Sequence, residues 1–343
     1  MNRCLMTLCA LCAWTLPLAS AASSGGELLV GNKSDDTVWR LDLADGRRLG
    51  EAATAHGPHE IAVSPDGRVA VVSGYGGQQR PGSTLTRIDT ASGKATGEID
   101  LGAHARPHGM RFTPDGERLL VTTEASGALL VVDPVAGEVE RVIGIGDGGG
   151  HMVALSRDGG VAYVSKIAAG SVVRVDLADG STLERPAGAG AEGIELAPDG
   201  TVWVSNREAG TVTVHDPDTL EVLDTLESAG FPIRVAFTAD GRHALVTNAR
   251  AATLAVFDAA SREPVATVAL AEPEATYRET MLGRAALPIG VIAGPDGSRI
   301  YVAVSGGNEI AVIDRRTWRV VERWKTGNEP DALGIVAGHR DSD

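Results

Sequence analysis

Three histidines, His59, His108 and His151, each stand seven residues before the Asp of an Asp-Gly pair: Asp66-Gly67, Asp115-Gly116 and Asp158-Gly159. Glu192 holds the same place before Asp199-Gly200, and Ile233 and Ile289 hold it before Asp240-Gly241 and Asp296-Gly297. Asp331 falls in this register too, because Leu333 and Ile335 match Met110 and Phe112. Imidazole and carboxylate are ligand types for zinc, copper, iron and nickel. Three imidazoles with a position left open are also the pattern of catalytic zinc. The candidate metal set is therefore His59, His108, His151, Glu192 and Asp331, and the cofactor expected there is a divalent transition metal, zinc or copper. Lys166 and Arg234 are candidates to hold an anionic ligand beside it. The same residues also fit a polar mouth for an organic ligand, or a Pro-His pair copied by duplication without function. His56 and His104 lie just upstream of His59 and His108 and could act as further ligands or outer partners. His215 stands where other repeats have an apolar residue and reads as packed core, and His243 and His339 carry no role.

For matching positions to converge, the chain must repeat one unit around an axis, and the sequence does repeat. After each Asp-Gly turn comes a β-branched run ending in a small residue, as in Val71-Val72-Ser73, Leu120-Val121-Thr122, Tyr163-Val164-Ser165, Trp203-Val204-Ser205 and Leu245-Val246-Thr247. A third strand then ends in Asp each time: Asp42, Asp89, Asp133, Asp176, Asp216, Asp258 and Asp314. These seven units are spaced 40 to 56 residues apart, the length of a four-stranded blade. The first unit lacks its first strand, and Asp331 to Val336 at the C-terminus is a first strand with no second after it. Joining the two closes the ring and removes open sheet edges. The fold expected is all-β: a seven-bladed β-propeller over residues 23–338, preceded by a signal peptide over 1–22 and followed by a tail at 339–343.

Tyr163-Val164-Ser165-Lys166, Trp203-Val204-Ser205-Asn206 and Leu245-Val246-Thr247-Asn248 resemble the repeat of the YVTN β-propeller family. The resemblance covers the mature chain and implies a secreted or periplasmic seven-bladed propeller, similar to the cytochrome nitrite reductase and lactonase propellers. It fixes a scaffold that serves many uses. Asn at the end of the motif reads as a residue that satisfies the turn backbone. Lys166 and Glu124 break that Asn pattern, and Arg207 lies close by. Two departures from the repeat fall on the same face as the histidines: the loop from Gly74 to Ser83 with Tyr75 and Arg80, and an insertion from Ala271 to Leu287 with Tyr277, Arg278 and Met281.

Bulk properties narrow the function classes. Arg3, the apolar run from Cys4 to Leu18 and Ala19-Ser20-Ala21 form a secretory signal pattern too short to span a bilayer. All three cysteines lie inside that segment, so the mature chain has no thiolate metal site or covalent haem attachment. A Cys-free exported chain suits the periplasm. The net charge of −14, with no basic cluster, argues against nucleic acid as a partner, and no membrane insertion is expected. The chain is expected to work as a monomer on a small-molecule ligand or a periplasmic protein. Three functions follow: binding of a metal or metal-bearing ligand in a redox or metal-handling system, lactone hydrolysis or lyase chemistry on the same His/Glu cluster, or a protein-interaction platform without chemistry.

Overall fold

A computed structural model describes residues 25–338. The segment 1–22, expected from the sequence to be a signal peptide, and the tail 339–343 lie outside the described residues. Seven four-stranded antiparallel sheets follow one another around a central channel. Blade 1 is composite: Pro330–Val336 pairs with Glu27–Asn32, in a register that sets Leu333 opposite Val30 and Val336 opposite Glu27. The other innermost strands are Pro58–Val63, Pro107–Phe112, Gly150–Leu155, Ala191–Leu196, Pro232–Phe237 and Pro288–Ala293, in blades 2 to 7.

The strands follow from the local sequence. Second strands such as Leu119–Thr123 and Val202–Asn206 are buried at every residue, so they open as apolar runs and end in small polar residues that find partners inside the blade. Outer strands such as Glu138–Gly144 bury few residues. The core lies between blades. Val71, Leu85 and Ile99 of blade 2, for example, pack against Phe112, Leu119 and Val121 of blade 3. Each such side chain contributes about 1.5–3 kcal/mol by burial.

The turns work as their composition implies. Gly116 takes φ 74°, and Asp115 Oδ1 accepts hydrogen bonds from Thr113 Oγ1 at 2.6 Å and Glu117 N at 2.9 Å. The Asp that ends each third strand caps the next turn: Asp133 Oδ1 accepts from the backbone N of both Val135 and Ala136 at 2.8 Å. His215 is fully buried, bonded to the Leu220 carbonyl and to Thr213, which makes it the core residue its position implied.

Candidate functional site

Each innermost strand opens with the same device. Its second residue is the repeat position occupied by His59, His108, His151, Glu192, Ile233, Ile289 and Asp331. Pairing with the second strand shifts register there in blades 2 to 7, between Pro58 and Ile61 and between Pro107 and Met110, for example. Such a bulge breaks the ladder locally and re-aims a side chain, here toward the axis. It also frees backbone groups that need partners. The Ser or Thr of the repeat motif supplies them. Ser205 Oγ accepts from Gly193 N at 2.9 Å in its own blade and donates to the Ile233 carbonyl of the next blade at 3.0 Å. Thr122 Oγ1 donates in the same way to the His151 carbonyl at 2.5 Å, and Thr247 Oγ1 to that of Ile289 at 2.8 Å. The motif hydroxyl therefore fixes the site residue of the following blade.

The five polar residues of this ring all line one cavity of ≈ 710 Å³ at the channel mouth. The His59 and His108 rings meet edge to face with centroids 4.5 Å apart, and those of His108 and His151 lie 3.6 Å apart. Asp331 Oδ2 stands 3.9 Å from His59 Nδ1. Glu192 Oε1 stands 3.4 Å from His151 Nε2.

A second ring lies above it and comes from the residue one past the Asn position: Lys33, Tyr75, Glu124, Ile167 and Arg207. Its members grip the first ring. Lys33 Nζ donates to Asp331 at 3.2 Å, Arg207 to Glu192 at 2.9 Å, and His151 Nδ1 donates to Glu124 at 2.5 Å. The Tyr75 hydroxyl donates to the other oxygen of Glu124, and its ring stacks on His59 at 4.7 Å. One ligand atom each from His108, Glu124 and His151 falls within 4.8 Å of the others, a spacing a single metal ion can bridge. The tightest set thus shares His108 and His151 with the sequence-derived one and adds Glu124. The floor is a cross-channel ion pair between Glu60 and Arg234, below which the channel continues as a chamber of ≈ 620 Å³ whose apolar walls also carry the Arg111–Glu195 ion pair.

The two anion-binding candidates part company. Arg234 is on the floor, with Nη1 buried and without a hydrogen-bond partner. Lys166 is displaced from the site. It lies between strands, 2% exposed, with Nζ donating to the Ile145 carbonyl and to Glu184 at 3.0 Å. The reason is its register: it takes the Asn position, whose side chains turn into the blade, as Asn206 does toward Thr211 and Thr213. Glu60 drew no notice in the sequence. The signal for it is adjacency to a bulged histidine, the position Arg234 fills in blade 6. His56 is exposed and paired with Asp36. The Gly74–Ser83 loop and the 271–287 insertion both reach the mouth, through Tyr75, Gln78, Met281 and Leu282.

Electrostatics divide the three imidazoles. Burial holds His59 at about 3 and His108 well below the usual histidine range, with neighbouring cations adding to the effect on His108. Burial works against a charged His151 as well, but the hydrogen bond to Glu124 and the nearby Glu192 carboxylate outweigh it and raise its pKa. Glu124, although desolvated, is pulled down to about 2 by His151 and Tyr75, and desolvation with the Glu124 bond raises the Tyr75 hydroxyl to about 12. Burial therefore keeps His59 and His108 as neutral imidazoles at neutral pH, while the two carboxylates beside His151 favour its protonated form.

Seven closed blades built on a YVT/SN-like second strand make the chain a seven-bladed β-propeller with YVTN-like repeats. The profile described as "YNCE-like beta-propeller" matches residues 180–278. The protein YncE of Salmonella typhimurium is 26% identical over 215 residues, 61% of this chain and 59% of YncE, so the match spans about three fifths of that relative's length. Among solved structures, the periplasmic gluconolactonase PpgL of Pseudomonas aeruginosa superposes with TM-score 0.72 at 22% identity, covering 92% of this chain and 99% of that one. Dihydro-heme d1 dehydrogenase NirN superposes with TM-score 0.65 at 17% identity, covering 94% and 78%. At these identities the two structures speak for the fold alone.

Proposed function

We propose that this propeller binds one transition-metal ion, zinc or copper, at the mouth of its channel through His108, His151 and Glu124. His59, Glu192 and Asp331 surround the ion in this reading. The observation that carries it is His108: both ring nitrogens are buried without a hydrogen-bond partner, on a residue 1% exposed, in ring contact with a second histidine. A neutral imidazole with unused lone-pair capacity, beside carboxylates, suits a cation. Metal binding requires unprotonated ligands, and burial supplies that state for His108. His151 would bind as the neutral imidazole, any proton it carries being released to solvent, and the charge of the ion would then stand between Glu124 and Glu192. The signal-like segment at the start of the chain, the Cys-free remainder and the likeness to a periplasmic propeller support export to the periplasm.

Titration calorimetry and elemental analysis of protein purified without a tag test the reading. The expected result is one zinc or copper per chain, with affinity falling at least about 100-fold in the His108→Ala, His151→Ala double variant. A preparation that carries no metal and takes up neither ion refutes it.

A second reading, lactone hydrolysis, is favoured by one feature. His151 sits between two carboxylates in a cavity with room for a sugar lactone, and the chain superposes on a gluconolactonase. The imidazole would relay a proton between water and the ring oxygen that leaves when the ester opens. Glucono-lactone hydrolysis above background, lost in Glu192→Gln, supports it. Equal rates in both proteins and buffer exclude it.

A further inference from the structure

The residue just before each innermost strand takes positive φ in all seven blades: Gly57, Arg106, Gly149, Gly190, Phe231, Leu287 and Glu329. Glycine occupies this place without strain, and other residues do not. Three of the four exceptions have an evident packing reason. Phe231 and Leu287 are 4% and 1% exposed in one apolar cluster, and Glu329 pairs with Lys33 and Ser34. Arg106, at φ 59°, is different. Its side chain is half-buried at the rim of the mouth cavity, with the guanidinium 5.0 Å above the Tyr75 ring. Its one backbone acceptor, the Gly77 carbonyl, is at 3.5 Å.

The charges at the mouth single it out further. Lys33 is bound to Asp331 and Glu329, Arg207 to Glu192, and Arg234 to Glu60. Among the described residues that line the cavity, Arg106 alone is a permanent cation with no carboxylate in ion-pair range. A strained arginine with Tyr75 and one carbonyl but no carboxylate as partners, at a cavity rim, is suited to clamp a planar anion. One cation without a carboxylate partner, beside Glu124, Glu192 and Asp331, matches a monoanion and disfavours a dianion. Across the mouth, Ile233, Ile289, Met281 and Leu282 offer an apolar wall.

We propose that Arg106 recognises the carboxylate of a small organic acid whose hydrocarbon body lies against that wall. The inference goes beyond the metal reading and does not need the ion. Calorimetric titration with hexanoate, with hexanamide as its neutral counterpart and inorganic phosphate as the dianion control, is run in the presence of chelator and again after zinc loading. Hexanoate is expected to bind at least about 10-fold tighter than hexanamide or phosphate, in chelator as well as with zinc. Arg106→Gly is expected to lose that preference while the thermal midpoint stays unchanged or rises by about 1–3 °C, because glycine relieves the strained backbone. Arg106→Lys, with the charge but not the planar fork, should retain part of the affinity. Hexanoate binding no tighter than hexanamide overturns the proposal, as does a preference that survives in Arg106→Gly. A lowered thermal midpoint with anion binding intact assigns Arg106 to structure instead. Zinc binding lost in the His108→Ala, His151→Ala variant with hexanoate binding kept separates this outcome from that of the metal site.

Discussion

His151 sets the charge at the mouth, because it alone of the three imidazoles is raised rather than lowered. Its proton is held by Glu124 and Glu192 against the pull of burial. Glu124→Gln keeps the shape and removes one of the two charges. The His151 midpoint, followed by NMR of the ring, is expected to fall, while His59 and His108 remain neutral through the same range. A midpoint that does not move would assign the proton to Glu192 alone. The histidines, Glu192 and Asp331 were legible in the sequence because the Asp-Gly turns gave a ruler, and counting back from each turn lands on the bulge. Their partners were harder to see. Lys33, Tyr75, Glu124 and Arg207 share a register one residue past the Asn of the motif, but that register carries seven different residue types in seven blades and no repeated identity to catch the eye. Lys166 was misplaced for the same reason, since its neighbour Ile167, not Lys166 itself, faces the cavity.

At the level of elements, the site rests on the bulged start of the innermost strand and on the hydroxyl that pins it from the preceding blade. Thr122→Val removes that hydroxyl at nearly constant volume and leaves the His151 carbonyl without its 2.5 Å donor. The expected loss is about 1–3 kcal/mol of stability by denaturant titration, with weakened zinc binding because the His151 ring loses its fixed backbone. Ser205→Ala is the control. It frees the Ile233 carbonyl in a blade that brings no metal ligand, so stability should fall comparably while zinc affinity stays. Equal zinc loss in both variants would mean that the effect travels through general loosening of the ring. The strands and turns were readable because β-branched runs and Pro-Asp-Gly punctuation repeat. The bulge was not, because it is a pairing property of two strands and leaves no residue signature beyond the position it displaces.

Across the whole molecule, ring closure was legible from a missing first strand at one end and an unpaired one at the other, and Pro330–Val336 does complete blade 1. The balance of buried charge at the centre of that ring was not legible, since it depends on which side chains meet across the channel. It has a global consequence. His59 and His108 are depressed in the folded state, so their contribution is complete above the unfolded value of about 6.5 and is lost as pH falls toward their folded values, about 3 for His59. His151 is raised, so its contribution is complete below about 6.5 and is lost only as pH rises through its folded value. Glu60 is raised by burial and takes up a proton in the folded state on the acid side, which offsets part of the loss. The carboxylates depressed by turn hydrogen bonds, such as Asp66 and Asp115, matter only further down, as pH falls below the ordinary carboxyl range. Between about pH 6.5 and 4.5 the depressed histidines therefore set the sign, His215 and His243 being lowered by burial as well. Unfolding free energy from urea titration should fall through that interval, by about 1.4 kcal/mol per pH unit for each histidine that the folded protein keeps unprotonated. His59→Gln should make the slope shallower without changing the stability measured at pH 7 in the same direction by the same amount. Saturating zinc should deepen the slope, because acid then also removes the ion. A stability that is flat from pH 6.5 to 4.5 in both proteins would mean that these rings take up protons in place, and that the channel mouth is far wetter than its burial implies.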